Sequence, residues 1–287
     1  MPAGGAARRS REGERVSCSV ELQGERRSVV KIVVAYKWAS NPQDATVGTG
    51  GAVDWSRAKP SISEYDPAAV ELARGLADAT GGEVIGLTAG TKAVDTTMAR
   101  KTALSRRFDR AVIVADDALE GAGSAALATV LAAAVRHIGD VDLVITGDSS
   151  IDGGGKMVPT VLAGQLGWPA VAEVSSVSSE AGSVRVERAT AGGTQVLEIS
   201  GPAVLAASTD AAPPRLPGMK DILAATKKPV QTVTLAELAV PASGGTVTVK
   251  GISRPDLKVR KQRLIDTKDP AAAAAELVAA LRGDGAL

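Results

Sequence analysis

The chain has 287 residues, a formal net charge of +1 at neutral pH, 45% apolar residues and only 2% aromatic ones. Such a composition supplies an aliphatic core and excludes a base-stacking platform, and near-neutrality without a long basic block excludes general nucleic-acid binding. One cysteine, Cys18, and one histidine, His137, exclude a disulfide framework and the usual zinc clusters, and no apolar run is long enough to span a membrane. The compartment expected on these grounds is the cytoplasm.

Residues 1–28 mix Arg8, Arg9, Arg11, Arg15, Arg26 and Arg27 with Glu12, Glu14, Glu21 and Glu25 and offer almost nothing to bury. They read as a disordered tail or as an upstream stretch taken in by a mistaken start codon. Cys18, within this tail, reads as inert. The nucleotide-binding type of domain is expected over residues 29–212. It opens on a buried strand, Val29 to Tyr36, followed by an irregular stretch over 38–62. Asp66-Pro67 starts a helix with proline in its first turn, and Gly81-Gly82 closes it. Val84 to Leu87 is a second strand. Residues 91–105 read as one helix with Val94, Met98, Ala99 and Leu104 inward. Ala111 to Val114 is a third strand, and Ser124 to His137 an alanine- and leucine-rich helix. His137, near that helix's end, reads as a favourably placed cation and no more.

The next stretch, VDLVITGDSSIDGGGKMVPTVLAGQLGWP over 141–169, organises the chain. Its apolar run suits a strand covered on both faces, which Gly147 ends. Loop chemistry follows through Asp148, Ser149, Ser150, Asp152 and three glycines. A helix begins near Lys156 with Met157, Val161, Leu162 and Leu166 on one face, and Gly167 with Pro169 stops it. The first turn of a helix has unpaired N–H groups and a dipole that favours an anion, and glycines let a phosphate approach. A tight turn without a ligand remains the plain alternative. A Walker A loop is excluded, because Met157 follows Lys156 where a hydroxyl is needed. A dinucleotide fingerprint is excluded, because Val158 stands where its third glycine belongs; Glu173 then reads as a surface charge.

Alternating strands and helices imply a parallel sheet, with ligands beyond the carboxyl ends of its strands. The pocket is therefore expected around Ala35, Ala89, Asp116 and the loop 148–156. Past Pro169 the pattern changes. Val184 to Arg188 and Thr194 to Ile199 read as a hairpin turning at Gly192-Gly193, and Pro202 to Ala207 as one more buried strand. Residues 213–287 are expected to form a docking loop and an arm without a core of its own. Within it lie a proline-rich stretch holding Met219, Ile222 and Leu223, a short segment 232–239, a strand Thr246 to Lys250, a basic stretch 254–263 (Lys258, Arg260, Lys261, Arg263) read as a solvated face, and a helix near 270–282.

Several of these pieces together resemble the beta subunit of electron transfer flavoprotein, including its nitrogen-fixation-associated branch. They are KIVVAYK, YDPAAVELA, EVIGLTAG, TGDSSIDGGGKMVPTVLAGQLGWPAV and RLPGMKDILAATKKPV, spread over roughly residues 30–230. The resemblance implies an α/β, parallel-sheet, Rossmann-like domain of the adenine-nucleotide-hydrolase type, with a hairpin and an extended C-terminal arm. It implies an electron carrier without catalytic residues of its own. Its partners would be an alpha subunit that shares an FAD, flavin dehydrogenases, and a quinone oxidoreductase. The nucleotide on this subunit would be AMP or a second FAD. By position it would touch Ala35, Asp66 and Ala89, then Asp152, Gly153, Gly154, Gly155, Lys156, Met157, Val158, Pro159 and Thr160. On this reading Gly154→Glu is expected to abolish nucleotide binding by filling the phosphate's place. Met219, Ile222 and Leu223 would dock a partner dehydrogenase, with Met219 as the apolar anchor where a leucine is more usual. Tyr36, Trp38 and Trp55 read as packing rather than an electron path. A stand-alone nucleotide-binding or hydrolysing protein on the same sheet type is the alternative, and a structural partner that has lost its nucleotide is a third. The hydrolase would want a glycine-rich loop directly after the first strand, where the chain reads Lys37-Trp38-Ala39-Ser40-Asn41-Pro42.

Overall fold

A computed structural model of the chain describes residues 30–180, 183–240, 250 and 259–287. The expectations for residues 1–28 with Cys18, for the strand beginning at Thr246 and for part of the basic stretch 254–263 fall outside the described residues. The body is one sheet with helices on both faces. Its four central strands are β1 (Lys31–Ala35), β6 (Glu83–Gly90), β7 (Arg110–Ala115) and β8 (Leu143–Gly147). Between β1 and β6 run four short strands, β2 (Trp38–Ser40), β3 (Thr46–Val47), β4 (Val53–Asp54) and β5 (Pro60–Ile62), where the sequence reads as irregular. They pair β2 with β5 and β3 with β4 as two separate ribbons.

The helices are placed by their apolar faces. Helix α1 (Asp66–Thr80) and α2 (Thr97–Leu104) cover one face of the sheet with Ala69, Val70, Ala73, Leu76, Ala103 and Leu104. Helix α3 (Ser124–Ile138) and α4 (Val158–Leu166) cover the other with Ala128, Leu131, Val135, Leu162 and Ala163. Period-two alternation in the strands feeds both layers: Ile32 and Val34 face α1, Val33 and Ala35 face α3. Gly81 and Gly167 end α1 and α4 in the left-handed conformation, as the sequence leads one to expect. Gly86 is required for a different reason. A Cβ there would lie 2.5 Å from the ring of Phe108, the one phenylalanine, which stacks on Tyr36 with ring centroids 5.5 Å apart.

Three expectations change. The helix over 91–105 is broken: a 3-10 turn covers Lys92–Asp95, Thr96 is extended, and its hydroxyl caps α2 through the Ala99 N–H at 3.2 Å. That break turns Met98 outward, so it is exposed rather than core. Met157 likewise leaves the buried face of α4, which begins only at Val158. Finally, an eleven-residue strand β9 (Ala170–Glu180) follows α4 where no strand is expected. It pairs antiparallel with β10 (Ser183–Thr190), which forms the expected hairpin with β11 (Gly193–Ile199). β12 (Ala203–Ala207) then inserts between β9 and β8, parallel to both.

The sheet also draws on the segment beyond 212. After the short helix α5 (Met219–Ala225), β13 (Val230–Val233) pairs parallel with β7, giving the order β11-β10-β9-β12-β8-β1-β6-β7-β13. Val233 and Leu235 are buried in the α3 layer. The last helix, α6 (Pro270–Gly283), buries no residue. Among the described residues no helix is long and apolar enough to cross a membrane.

Candidate functional site

The chain leaves β1 toward β6 and β7, then returns through β8 to the other side of β1. Strand order reverses there, and open α/β sheets leave a crevice at such a point, beyond the carboxyl ends of their strands. A cleft of about 250 Å³ lies there, with Ala35 of β1, Ala89 one residue before the end of β6, and Thr146 and Gly147 of β8 on its floor. Its walls come from Ala122, Gly123, Ser124, Leu127 and Leu131 at the start of α3 and from the loop after β8 with the start of α4.

The junction of floor and wall is a tight knot. Asp66 is buried, and its Oδ2 accepts the Lys37 N–H at 2.8 Å; the Gly147 N–H also donates to this carboxylate. A Cβ at Gly147 would lie 2.7 Å from Asp66 Oδ1 and from the Tyr65 carbonyl oxygen, so only glycine lets α1 approach β8 this closely. Burial pushes the Asp66 pKa up to about 7, against the pull of the two N–H donors. Asp66 thus lines the cleft while tying the ends of β1 and β8 together.

The loop over 148–157 is held by its own polar groups. The Gly153 N–H donates to Asp152 Oδ1 at 2.8 Å and the Gly154 N–H to the Ser150 carbonyl at 3.0 Å. Two of the glycine N–H groups are therefore engaged inside the loop. Gly154 has φ +61°, and a Cβ on it would meet no atom within 4 Å. It is absent from the cleft wall, as are Asp152 and Thr160. Gly155 does line the cleft, and a Cβ on it would lie 3.5 Å from Ser124 Oγ on the opposite wall. Asp152 pairs with the Lys37 ammonium at 2.8 Å; burial raises its pKa, but Lys37 together with the hydrogen bonds from Ser150 and Gly153 outweighs burial and holds it below the usual carboxylate value. Lys156 is not a free cation either. Its Nζ lies 2.8 Å from Asp148 Oδ2 and 3.6 Å from Glu173 Oε1, and Asp148 holds the ammonium above its usual pKa. Glu173, read from sequence as a surface charge, has φ +56° and closes this triad.

Two helix starts meet at the cleft. Neither the Gly123 preceding α3 nor the Met157 preceding α4 caps its helix with a side chain. First-turn N–H groups of both helices are left for a ligand or water, and both dipoles favour negative charge there. Of the residues expected at a nucleotide, Ala35, Asp66, Ala89, Gly153, Gly155, Lys156, Met157, Val158 and Pro159 line this one cleft. Asp116 instead caps a 3-10 turn, accepting the Ala118 N–H at 3.0 Å. Sequence reading misses the α3 side of the wall: Ala122-Gly123-Ser124 carries no phosphate signature, and only the fold brings it opposite Gly155. The one available hint is an alanine-rich helix that starts after glycine without an Asp, Asn, Ser or Thr at its cap.

Away from the cleft, Met219 and Leu223 of α5 are 75% and 66% exposed, and Leu216 is exposed beside them. Ile222 is half-buried, and Ala225 is buried against the sheet's α1–α2 layer. Arg215 anchors the preceding loop: its N–H donates to Glu71 at 3.3 Å, and its carbonyl accepts from Arg106 at 3.5 Å. His137 lies 3.0 Å from the side-chain amide of Gln231, a bridge between α3 and β13. Tyr36 is buried and Trp38 packs against the core, while Trp55 is exposed on the surface. Among the described residues no His, Cys, Asp and Glu cluster suits a metal ion.

Residues 51–238 match the family model of the electron transfer flavoprotein domain, well over half of the chain. The matched span runs from the ribbons after β1 to just past β13, and it contains every cleft residue except Ala35, Tyr36 and Lys37.

Proposed function

The chain belongs to the electron transfer flavoprotein domain family, and from that premise we propose that it is the beta subunit of a heterodimeric electron carrier. In this reading it clamps an FAD held mainly by an alpha subunit and binds a nucleotide of its own, AMP or a second FAD, in the cleft at β1 and β8. The flavin supplies the redox chemistry. This chain contributes binding and orientation, and electrons pass from flavin dehydrogenases to an acceptor such as a quinone oxidoreductase. Met219 and Leu223, projecting from α5 just after a loop that Glu71 and Arg106 pin at Arg215, are the apolar anchors for a dehydrogenase. Ile222 faces partly inward and seats α5 on the body.

The observation that carries the nucleotide assignment is the convergence of two helix starts without side-chain caps on a cleft at the strand-order reversal. A phosphate there takes hydrogen bonds from backbone N–H groups, which need no particular side chain. Co-expression with an alpha-type subunit tests the proposal. The expected product is a stable pair with a flavin absorption spectrum, releasing AMP or a second FAD on denaturation, as identified by mass spectrometry. Failure to pair, or nucleotide hydrolysis by the isolated chain, would replace this reading with that of a stand-alone nucleotide protein.

A further inference from the structure

We propose that Asp148 selects the ligand of this cleft by accepting, on Oδ1, a hydrogen bond from a hydroxyl that the ligand carries close to its phosphate. The proposal rests on the nucleotide reading above and names the feature of the nucleotide that is recognised. Asp148 follows β8 and keeps its alternation, since its N–H still donates to Ala207 of β12 at 3.1 Å. Leu143 and Ile145 face the α1 layer and Val144 the α3 layer, so Thr146 and Asp148 fall on the α3 side, where the cleft lies. The Asp148 side chain is only 10% exposed. Lys156 occupies Oδ2 at 2.8 Å, and Oδ1 has no hydrogen-bond partner among the described residues. Its neighbour Thr146 cannot supply one, because that hydroxyl donates to the Gly147 carbonyl at 2.7 Å.

A buried carboxylate oxygen without a donor is unfavourable, and a donor arriving with the ligand removes the penalty. The geometry also says what kind of donor. The phosphate of a nucleotide, mostly dianionic at neutral pH, satisfies the two helix starts but has no proton to donate to a carboxylate. Lys156 offsets the repulsion between the two anions by neutralising Asp148, and it belongs to the loop turn that leads directly into α4. Asp148 therefore stands within one lysine side chain of the anion-binding end. In a nucleoside 5′-phosphate the ribose hydroxyls lie that near the phosphate, whereas the base amine lies at the far end. Thr88 Oγ1, another buried oxygen without a partner, sits on the opposite phase of β6 from Leu87 and Ala89 and so faces away from the cleft. Lys156 acts as a positioning residue, fixing which Asp148 oxygen is left over.

The test is titration calorimetry of the full chain with AMP, with 2′,3′-dideoxy-AMP and with inorganic phosphate. Wild type is expected to prefer AMP over the dideoxy analogue by about tenfold to a hundredfold, the range of a hydrogen bond to a charged group. Asp148→Ala is expected to lose that preference and to bind AMP and the dideoxy analogue equally, and Asp148→Asn, which retains an acceptor oxygen, to keep part of it. A wild type that binds AMP and the analogue equally overturns the proposal without any variant being needed. So does an Asp148→Ala chain that still discriminates. If wild type binds neither nucleotide, the nucleotide reading itself falls, and this proposal falls with it; phosphate binding alone would then mark the cleft as a simple anion site.

Discussion

Helices α3 and α6 are close in length and both are rich in alanine, yet their fates are opposite. Helix α3 buries Ala128, Val130, Ala132, Ala134 and Val135 against the sheet, while α6 buries nothing. Their starts differ in the reverse sense. Asp269 caps α6 by accepting the Ala271 N–H at 3.0 Å, with Pro270 in the first turn, whereas Gly123 leaves α3 without a side-chain cap. A helix held by packing can leave its N–H groups for a ligand. A helix with no packing partner needs every local contribution, because isolated helices of this length are marginal in water. The contrast separates what the body of this chain supplies for itself from what α6 is built to obtain elsewhere.

The strongest way to break that contrast is to remove packing from α3. Leu131→Ala is expected to cost about 2–5 kcal/mol in denaturant unfolding of the isolated chain, the range for emptying a core leucine site. A loss within about 0.5 kcal/mol, the size expected at an exposed position, would mean that α3 is not held by its layer. Asp66→Asn comes next, with about 1–3 kcal/mol lost because the amide presents an N–H to backbone N–H donors. Its pH dependence sharpens the point. The folded pKa of about 7 lies above the unfolded carboxylate value, so the protonated carboxyl favours the folded state. That stabilisation is fully present below about pH 4 and is lost as pH rises through about 7. Unfolding midpoints of wild type should therefore fall over this window relative to those of Asp66→Asn; a parallel pair of curves would mean that Asp66 is not the source.

Giving α3 the cap that α6 has makes a subtler change. Gly123→Asp is expected to raise stability by only a few tenths of a kcal/mol, since Gly123 already has extended backbone geometry. At the same time its carboxylate would occupy the N–H groups and repel phosphate, weakening AMP binding roughly tenfold or more, or about 1.4 kcal/mol. Unchanged AMP binding would remove the α3 start from the site. The smallest effect belongs to α6: Leu277→Ala, at an exposed position, should stay within about 0.5 kcal/mol in the isolated chain. Loss of pairing with an alpha subunit by the same variant would identify what α6 packs on.

The central strands were legible because both of their faces are buried, which leaves nearly unbroken apolar runs such as Leu143 to Ile145. The stop at Gly167 was legible because a left-handed residue ends α4, and Gly147 was legible as the end of β8, whereas the close approach of Tyr65 and Asp66 that requires a glycine there comes only from the fold. β9 was hidden for a definite reason. Its inward valines are Val171, Val174 and Val177, three apart instead of two, because the strand is irregular twice, once where Glu173 takes φ +56° and once between Val174 and Ser176, opposite Arg188 and Glu187. A bulge resets the alternation that strand reading depends on. The candidate site was half legible. Its loop side announces itself in glycines, but the α3 side depends on strand order, and Asp148 looks like any loop aspartate until its second oxygen is seen to lack a partner. The misplacement of Met98 and Met157 comes from helix boundaries: each lies at a start that caps or turns the chain, where periodicity no longer fixes direction.

The central place of β1 also bears on how the chain is made. β1 pairs on one side with β6, Lys31 opposite Glu83, and on the other with β8, Ile32 opposite Leu143. On the ribosome the first partner begins at Glu83, but the second begins only at Leu143, more than a hundred residues after the end of β1 at Ala35, on the order of 10 s at typical synthesis rates. Throughout that interval one edge of an apolar strand has unpaired N–H and carbonyl groups, the condition under which strands pair with the wrong chain. The strand around which the sheet is built therefore depends on uninterrupted translation, and slowing synthesis between residues 90 and 143 should raise aggregation more than an equal delay after β12.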